Sequence, residues 1–324
     1  MTRARDNSFN PFNNQVAGKN YFINGAMEFW QRGTSSTTPA GAYTADRWKA
    51  TVNGAGTYVV SRQAAGLDGF QYCMRFQRSS GQTYTSGSFI GYAWETDSMI
   101  GLQGKTVTYS FYARKGSDFS STSPSSGINV QLQQGTGSGT HAFSSLTNET
   151  TVLTGNATLT TSWQRFSFTG TVASNSTELR TNIAHSPNGT AGANDWFEIT
   201  GVQLEIGSSA TQFSRAGGTI GGELALCQRY YQGYRYFHAL KSPNNYARMT
   251  FNYMCTMRGT PSLAYRDSSA NQSRITSYSG TDVANANRQP LQVIGSDANT
   301  FLILPNNTDS DPSFFINIEA SAEL

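Results

Sequence analysis

The segment NYFINGAMEFWQRG at residues 20–33 and the segment WFEITGVQLEIG at residues 196–207 decide how this chain folds. Both contain bulky apolar and β-forming residues, and both end at glycine. Trp48 follows the first segment closely. We predict that the two segments are the opening and closing strands of one β-sandwich. Trp30, Trp48 and Trp196 should then lie close together, deep in a shared core.

Composition points to an all-β protein. Of 324 residues, 13% are charged, 12% are aromatic and 32 are glycine, as expected for a turn-rich chain with enough apolar residues for a core. The net charge of +3 is small and dispersed, so we expect no nucleic-acid partner. The three cysteines have no CxxC spacing, which argues against a disulfide framework and a zinc site.

The chain begins MTRARDNS, which lacks the apolar stretch of a secretory signal peptide. No run approaches the roughly 18 apolar residues needed to cross a bilayer. We therefore expect synthesis in a cytoplasm without Sec-type export, and no insertion into a membrane.

Between the two deciding segments, short stretches alternate apolar and polar residues with the period of a half-buried strand. They lie at 57–62, 71–76, 102–114, 128–132, 163–169 and 178–183. With the opening and closing segments this makes about eight strands, the number in a jelly roll.

A glycine-rich stretch at 217–222 marks a boundary, and ELALCQRYY at 223–231 has the 3- and 4-residue apolar spacing of a helix. Beyond it the alternating pattern returns. We predict an all-β fold: a jelly-roll sandwich, a short helix and a second, smaller β-sandwich. The predicted divisions are an attachment peptide at 1–19, the jelly roll at 20–215, the linker and helix at 216–233, and the C-terminal sandwich at 234–324.

The amino-acid sequence of four segments resembles the jelly-roll module of bacteriophage tail-fibre and other virion-surface proteins. These segments are residues 20–33, 102–114, 202–213 and 223–231. That module is itself similar to some carbohydrate-binding modules. The resemblance implies a virion protein, made in the host cytoplasm, that contacts a host-surface glycan or the host envelope as a homotrimer. A tail fibre is our main interpretation. A capsid fibre or decoration protein, and the polysaccharide depolymerase of a tailspike, stay open as alternatives.

Residues 1–19 are polar and cannot bury enough surface to fold alone. We predict that this peptide docks on another virion protein through its basic and aromatic side chains. These are Arg3, Arg5, Phe9 and Phe12.

Aromatic side chains are the candidates for ligand and subunit contacts, because sugars stack on aromatic faces and tyrosine and arginine are enriched at interfaces. For the glycan we name Tyr84, Tyr92 and Trp94. For the subunit interface we name Tyr230, Tyr231, Tyr234, Arg235 and Tyr236.

Catalysis of glycan cleavage would need two carboxylates about 5–10 Å apart. Glu95 and Asp97 would project from the same side of an extended segment, but a solvated strand end explains them equally well. The coil repeats of a parallel β-helix, the tailspike architecture, are not found. We therefore predict that the protein is not an enzyme.

A structural calcium is the one metal site to consider. In jelly-roll sugar-binding modules, a glutamate after an Asn-Gly pair and an aspartate in the last strand often hold this ion. Glu28 fits the first position, but Thr200 and Gly201 stand where acidic residues are usual. Calcium requires several hard oxygen ligands. We therefore predict no cofactor, with Glu28 as the single candidate calcium ligand.

Overall fold

The computed structural model describes residues 17–323, except 38–39, 123, 138–142, 144, 242–246, 267–274, 278–281, 284–291, 295–298 and 305–312. The chain divides into two compact units. The first comprises residues 1–227 with Leu324, and the second comprises residues 228–323. The predicted all-β fold class is confirmed, with a sandwich in the first unit and a short helix before the strands of the second.

The first unit contains two antiparallel sheets of six strands each. One, called here the β12 sheet, runs in the order β1 (Ser35–Thr37), β4 (Tyr58–Leu67), β5 (Phe70–Arg78), β12 (Trp196–Ile206), β7 (Thr106–Lys115), β10 (Gln164–Thr171). The other, the β11 sheet, runs in the order β2 (Ala40–Tyr43), β3 (Lys49–Val52), β6 (Ser88–Ala93), β11 (Glu178–His185), β8 (Gly127–Gly135), β9 (Thr150–Thr158). The described helices are α1 (Thr96–Met99), the short 3-10 helix Ile100–Leu102 that follows it, and α2 (Ile220–Gln228).

The core lies between these sheets. It is built from every second residue along the strands, whose side chains face inward. An aromatic cluster fills its centre. The Phe22 ring stacks on Trp48 with centroids 5.2 Å apart, and Tyr92 and Trp94 pack against the same ring at 5.1 and 4.7 Å. Buried aromatic side chains of this size contribute the largest single shares of hydrophobic stabilisation.

The first deciding segment, 20–33, is a series of turns and not the predicted opening strand. It nevertheless follows β12: the Tyr21 amide donates to the Leu204 carbonyl at 2.9 Å, and the Val202 amide donates to the Gly25 carbonyl at 2.9 Å. A Cβ on Gly25 would lie 2.1 Å from the Val202 carbonyl oxygen, so only glycine permits this approach. The segment 20–33 and the closing strand are therefore in contact, but the backbone that forms these hydrogen bonds belongs to turns and not to a strand.

Trp196 departs from the prediction of deep burial. Trp30 and Trp48 belong to the core, at 7% and 0% exposure. Trp196 is half-buried on the outer face of the β12 sheet, where the Arg75 guanidinium lies 4.2 Å from its ring centroid. The strand assignment is correct, but Phe197 and not Trp196 is the inward residue of this pair.

The second unit contains one antiparallel sheet of eight described strands. They are β13 (Tyr231–Lys241), β14 (Ala247–Asn252), β15 (Ser262–Arg266), β16 (Ile275–Ser277), β17 (Asp282–Val283), β18 (Gln292–Ile294), β19 (Asn299–Leu304) and β20 (Ser313–Ser321). The strand β20 lies between β13 on one side and β15 and β16, in succession, on the other. Among the described residues, no helix is long and apolar enough to cross a membrane.

Candidate functional site

The solvent-facing side of the β11 sheet carries a row of side-chain amides. Along β8, Ile128, Val130 and Leu132 are fully buried in the core. The intervening positions therefore point outward, and they carry Asn129, Gln131 and Gln133. Asparagine is depleted in strands, and side-chain amides at the centre of a sheet contribute little packing.

The pairing register extends this polar row across neighbouring strands. Gln131 is paired with Asn182 of β11 on one side and with Thr154 of β9 on the other. Directly paired residues share one face of a sheet. We call the resulting surface the amide face, which comprises Asn129, Gln131, Gln133, Thr154, Asn156 and Asn182.

Hydrogen bonds hold several of these amides in fixed orientations. Asn129 donates through Nδ2 to Oδ1 of Asn156 at 2.8 Å. Oε1 of Gln133 accepts from Asn182 Nδ2 at 3.2 Å and from Arg180 Nε at 3.1 Å. Because both donors fix the direction of the Gln133 amide, its position is set before any ligand arrives.

An aromatic wall closes one side of the amide face. The register continues from Asn182 through Gly91 and Lys49 to Tyr43, so one row crosses all the strands of the sheet. Phe143 packs edge-on against Tyr43, with centroids 5.9 Å apart. A Cβ on Gly91 would approach the Phe143 ring to 3.1 Å, so the missing side chain lets this ring lie on the strand.

This arrangement is suited to a neutral, polyhydroxylated ligand. Side-chain amides and hydroxyls both donate and accept, as sugar hydroxyls do. The charged groups beside the face are already engaged with protein atoms. Arg180 pairs with Glu149 at 2.7 Å, and the Lys49 ammonium lies 4.8 Å from the Phe143 ring centroid.

Two of the three aromatics predicted to stack on sugar are core residues. Tyr92 and Trp94 are 1% and 2% exposed, and both pack on Phe22. Trp94 also donates through Nε1 to the Tyr21 carbonyl at 2.6 Å. Their faces are covered by protein, so neither can offer a platform to a ligand. Tyr84, at 40% exposure, is the one of the three on the surface.

The predicted subunit contacts fall mostly outside the described residues. Tyr230 and Tyr231 are buried, at 2% and 3% exposure. Tyr234, Arg235 and Tyr236 belong to β13, but their side chains lie outside the described part of the chain. The attachment residues Arg3, Arg5, Phe9 and Phe12 also lie outside it. The interface and the attachment peptide stay predictions.

The carboxylates considered for catalysis are not arranged as a pair on a strand. Glu95 precedes α1 and Asp97 lies in its first turn, so the extended segment assumed from the sequence is a helical turn. Helical geometry does not repeat side-chain directions every second residue. The predicted alignment of these two carboxylates is therefore wrong.

The other central carboxylates already have cationic partners. Asp195 and Arg78 form a fully buried ion pair, with Oδ2 and Nη1 2.8 Å apart. Buried Glu198 lies between Arg75 at 2.7 Å and Arg114 at 2.6 Å. Each of these carboxylates balances a charge within the fold.

Glu28 has a cation partner that no pattern in the sequence identified. Its two carboxylate oxygens accept from Nε and Nη2 of Arg215 at 2.8 and 2.5 Å, a bidentate pair. This pair raises the pKa of Arg215. The guanidinium thus supplies positive charge beside the one candidate calcium ligand. Among the described residues, no group of three or more potential metal ligands is found.

Buried titratable groups elsewhere also serve the fold. Burial lowers the pKa of His185 to about 4, so the ring is neutral near pH 7. The ring stacks on Phe119 with centroids 4.8 Å apart, and its Nε2 lies 2.7 Å from the Ser120 carbonyl oxygen. Burial raises the pKa of the Cys73 thiol to about 12, which suppresses thiolate formation.

The fold and the amide face together define a jelly-roll protein with a polar, solvent-facing sheet. No family model and no curated protein matches the chain. Several solved structures resemble it. The carbohydrate-binding module CBM4 is 21% identical over 57% of this chain and 100% of its own, with a TM-score of 0.33. The CBM22-1 xylan-binding domain from Paenibacillus barcinonensis is 12% identical over 60% of this chain and 98% of its own, with a TM-score of 0.34.

The enzymatically active domain of tailspike protein 4 of bacteriophage CBA120 is also similar, at 9% identity and a TM-score of 0.35. The match covers 58% of this chain and 21% of that one. Because all these identities and TM-scores are low, the function has to be inferred from the residues of this chain itself.

Proposed function

We propose that this protein is a non-enzymatic bacteriophage virion protein, a tail fibre or similar adhesion protein, that binds a neutral host-surface glycan through the amide face. The observation that carries the proposal is the row of outward amide and hydroxyl side chains centred on Gln131 and Asn182. Asn129, Asn156 and Asn182 have low strand propensity, and such a local conflict typically marks a functional surface.

The ligand is neutral because the face offers amides and hydroxyls at its centre. Gln131 is partly exposed and Thr154 is exposed, so both are accessible to a ligand lying across the strands. A few hydrogen bonds of this kind give weak binding per site. A homotrimer would multiply that binding through valency, which suits adhesion to a repetitive polysaccharide.

The virion assignment rests on the sequence resemblance of the quoted segments to phage fibres, and it brings with it the docking of residues 1–19 on other virion proteins. The ion pairs of Asp195 and Glu198 support a binding role over a depolymerase, since a carboxylate engaged in this way is a poor general acid or nucleophile.

The test exposes the full chain to a panel of immobilised neutral and acidic bacterial surface polysaccharides. We expect retention on at least one neutral polysaccharide and no release of reducing ends from any of them. Gln131→Ala should reduce retention. Gln71→Ala, which removes an exposed glutamine from β5 of the other sheet, should leave it unchanged.

Two outcomes would contradict the proposal. Equal retention of both variants would place the ligand elsewhere on the protein. Release of reducing ends by the wild type would instead indicate a depolymerase. The virion assignment has its own test: protein lacking residues 1–19 should stay folded but fail to enter particles.

A further inference from the structure

A cleft lies at the rim of the sandwich, apart from the amide face. It has a volume of about 390 Å³ and lies at the ends of β8 and β9, bounded by the segment that connects β10 to β11. Its polar side chains are those of Gln134, Thr136, Asn148, Thr150, Asn175 and Ser176. Gln134 alternates with Gln133 along β8 and so points to the opposite side of the strand from the amide face.

The lining of the cleft combines polar and apolar surface. The described lining carries amides and hydroxyls but no charged side chain. Small-molecule sites occupy about 300–1,000 Å³, and the cleft falls within that range. Gly135 and Ala173 add apolar surface to these amides and hydroxyls. A ligand that matches this lining must be small, neutral and rich in hydroxyl groups.

Both walls of the cleft are held by hydrogen bonds. Gln134 accepts from the Ala173 amide at 2.8 Å and donates to Thr150 Oγ1 at 3.2 Å, which ties the connecting segment to the β8–β9 hairpin. On the other wall, Thr177 donates through Oγ1 to the Gly137 carbonyl at 2.6 Å. Fixed walls lose little entropy when a ligand binds.

Glu178 supports the cleft from behind. It is 5% exposed, and its Oε2 accepts from the Thr147 amide at 2.7 Å. A Cβ on Gly135 would lie 2.4 Å from this carboxylate, and one on Gly137 would lie 2.1 Å from it. Glycine at both positions therefore makes room for the carboxylate, which lies directly behind Gly135 in the wall of the cleft.

We propose that this cleft is a binding site for a single neutral sugar residue, occupied independently of the amide face. The open amide face is suited to the side of a polysaccharide chain, whereas the cleft at the strand ends holds one terminal sugar residue. Asn148 and Asn175 are both exposed. Asn148 donates through Nδ2 to Thr136 Oγ1 at 3.0 Å, so its Oδ1 and the Asn175 amide are the groups that contact the sugar hydroxyls.

The test is ligand-observed saturation-transfer NMR with the full chain and a panel of methyl glycosides. The panel comprises neutral hexoses, pentoses, deoxyhexoses and N-acetylhexosamines, with methyl glucuronide as the charged comparison. We expect saturation transfer to at least one neutral glycoside and none to the glucuronide. Gln131→Ala, on the amide face, should leave this binding unchanged.

Two variants probe the cleft itself. Asn175→Ala should weaken the bound glycoside about tenfold, since one hydrogen bond is lost. Asn148→Gly removes the second amide while glycine keeps the positive φ of 50° at this position. Asn53→Ala, at an exposed position elsewhere, is the matched control. Absence of binding across the neutral panel would overturn the proposal, as would equal binding by Asn175→Ala and the wild type.

Discussion

Removing the Arg78 guanidinium should destabilise the sandwich more than removing any half-exposed arginine. Arg78 and Asp195 are both 0% exposed in their side chains, and they form an ion pair at 2.8 Å. Arg78 also donates through Nη2 to the carbonyls of Gln82, Tyr84 and Gly189 at 2.9–3.0 Å. One side chain therefore holds two surface loops against the sandwich.

The cost comes from the groups that the substitution leaves behind. Arg78→Met leaves the buried Asp195 carboxylate without a cation, with Ser120 still donating to its side chain. It also removes the guanidinium donor from the Tyr84 and Gly189 carbonyls. Breaking a buried ion pair by removing one partner typically costs about 3–5 kcal/mol.

Arg114→Met is the matched control. Arg114 is 25% exposed, and its carboxylate partner Glu198 keeps Arg75, so we expect about 1 kcal/mol.

The assay is urea unfolding followed by tryptophan fluorescence. All five tryptophans lie within residues 1–227, so the signal reports only the sandwich unit. The double variant Arg78→Met with Asp195→Leu should recover part of the loss, because no unpaired charge stays buried. A destabilisation by Arg78→Met no larger than that by Arg114→Met would contradict this prediction.

Three further predictions concern stability. The pKa of His185 falls from 6.5 to about 4 on folding, so between these pH values the unfolded chain binds a proton that the folded chain does not. The stability of the fold should therefore decrease as pH falls from 6.5 towards 4, by up to about 1.4 kcal/mol per pH unit. His185→Gln should show a shallower decline in urea midpoint over this range. Trp48→Ala should cost about 3–5 kcal/mol, and half-buried Trp196→Ala clearly less; equal costs would contradict the observed faces. Because Arg215 neutralises Glu28, chelating calcium should leave the melting temperature unchanged; a drop on chelation would indicate a metal.

Alternation in the sequence predicted seven of the twelve described strands of the sandwich, because solvent and core impose a period of two on a half-buried sheet. The expected count of about eight was too low, since β1, β2, β3, β6 and β9 were not predicted. The predicted closing strand at 196–206 coincides with β12. The segment 20–33 has the same apolar content but folds as turns, because Asn24 and Met27 adopt positive φ angles of 60° and 56°. The pattern of apolar residues does not indicate these positive φ angles.

The candidate site was harder to predict than the fold. Tyr92 and Trp94 look like sugar platforms in the sequence, but the inward side of β6 buries Tyr92 and the aromatic cluster covers Trp94. The signal for the amide face was present in β8, where Asn129 and Gln131 alternate with apolar residues. The amides of β8 form a site only together with residues of β9 and β11, which pair with β8. The register of that pairing joins residues that are far apart in the chain.

The Arg215–Glu28 pair illustrates the same limit. Its members are 187 positions apart, and nothing local distinguishes Arg215 from other surface arginines. The sequence pattern indicated that acidic calcium ligands were missing from the last strand. It could not indicate that an arginine from the following segment would take the place beside Glu28.

The most direct test of glycan binding by the amide face is the calorimetric affinity of the full chain for the neutral polysaccharide that it retains. Gln131 and Thr154 are directly paired and accessible, so the double variant Gln131→Ala, Thr154→Ala removes two ligand contacts without touching the core. At about 1 kcal/mol for each hydrogen bond, affinity should fall about thirtyfold, while Gln71→Ala binds as the wild type does. Unchanged affinity in the double variant would contradict glycan binding at this face.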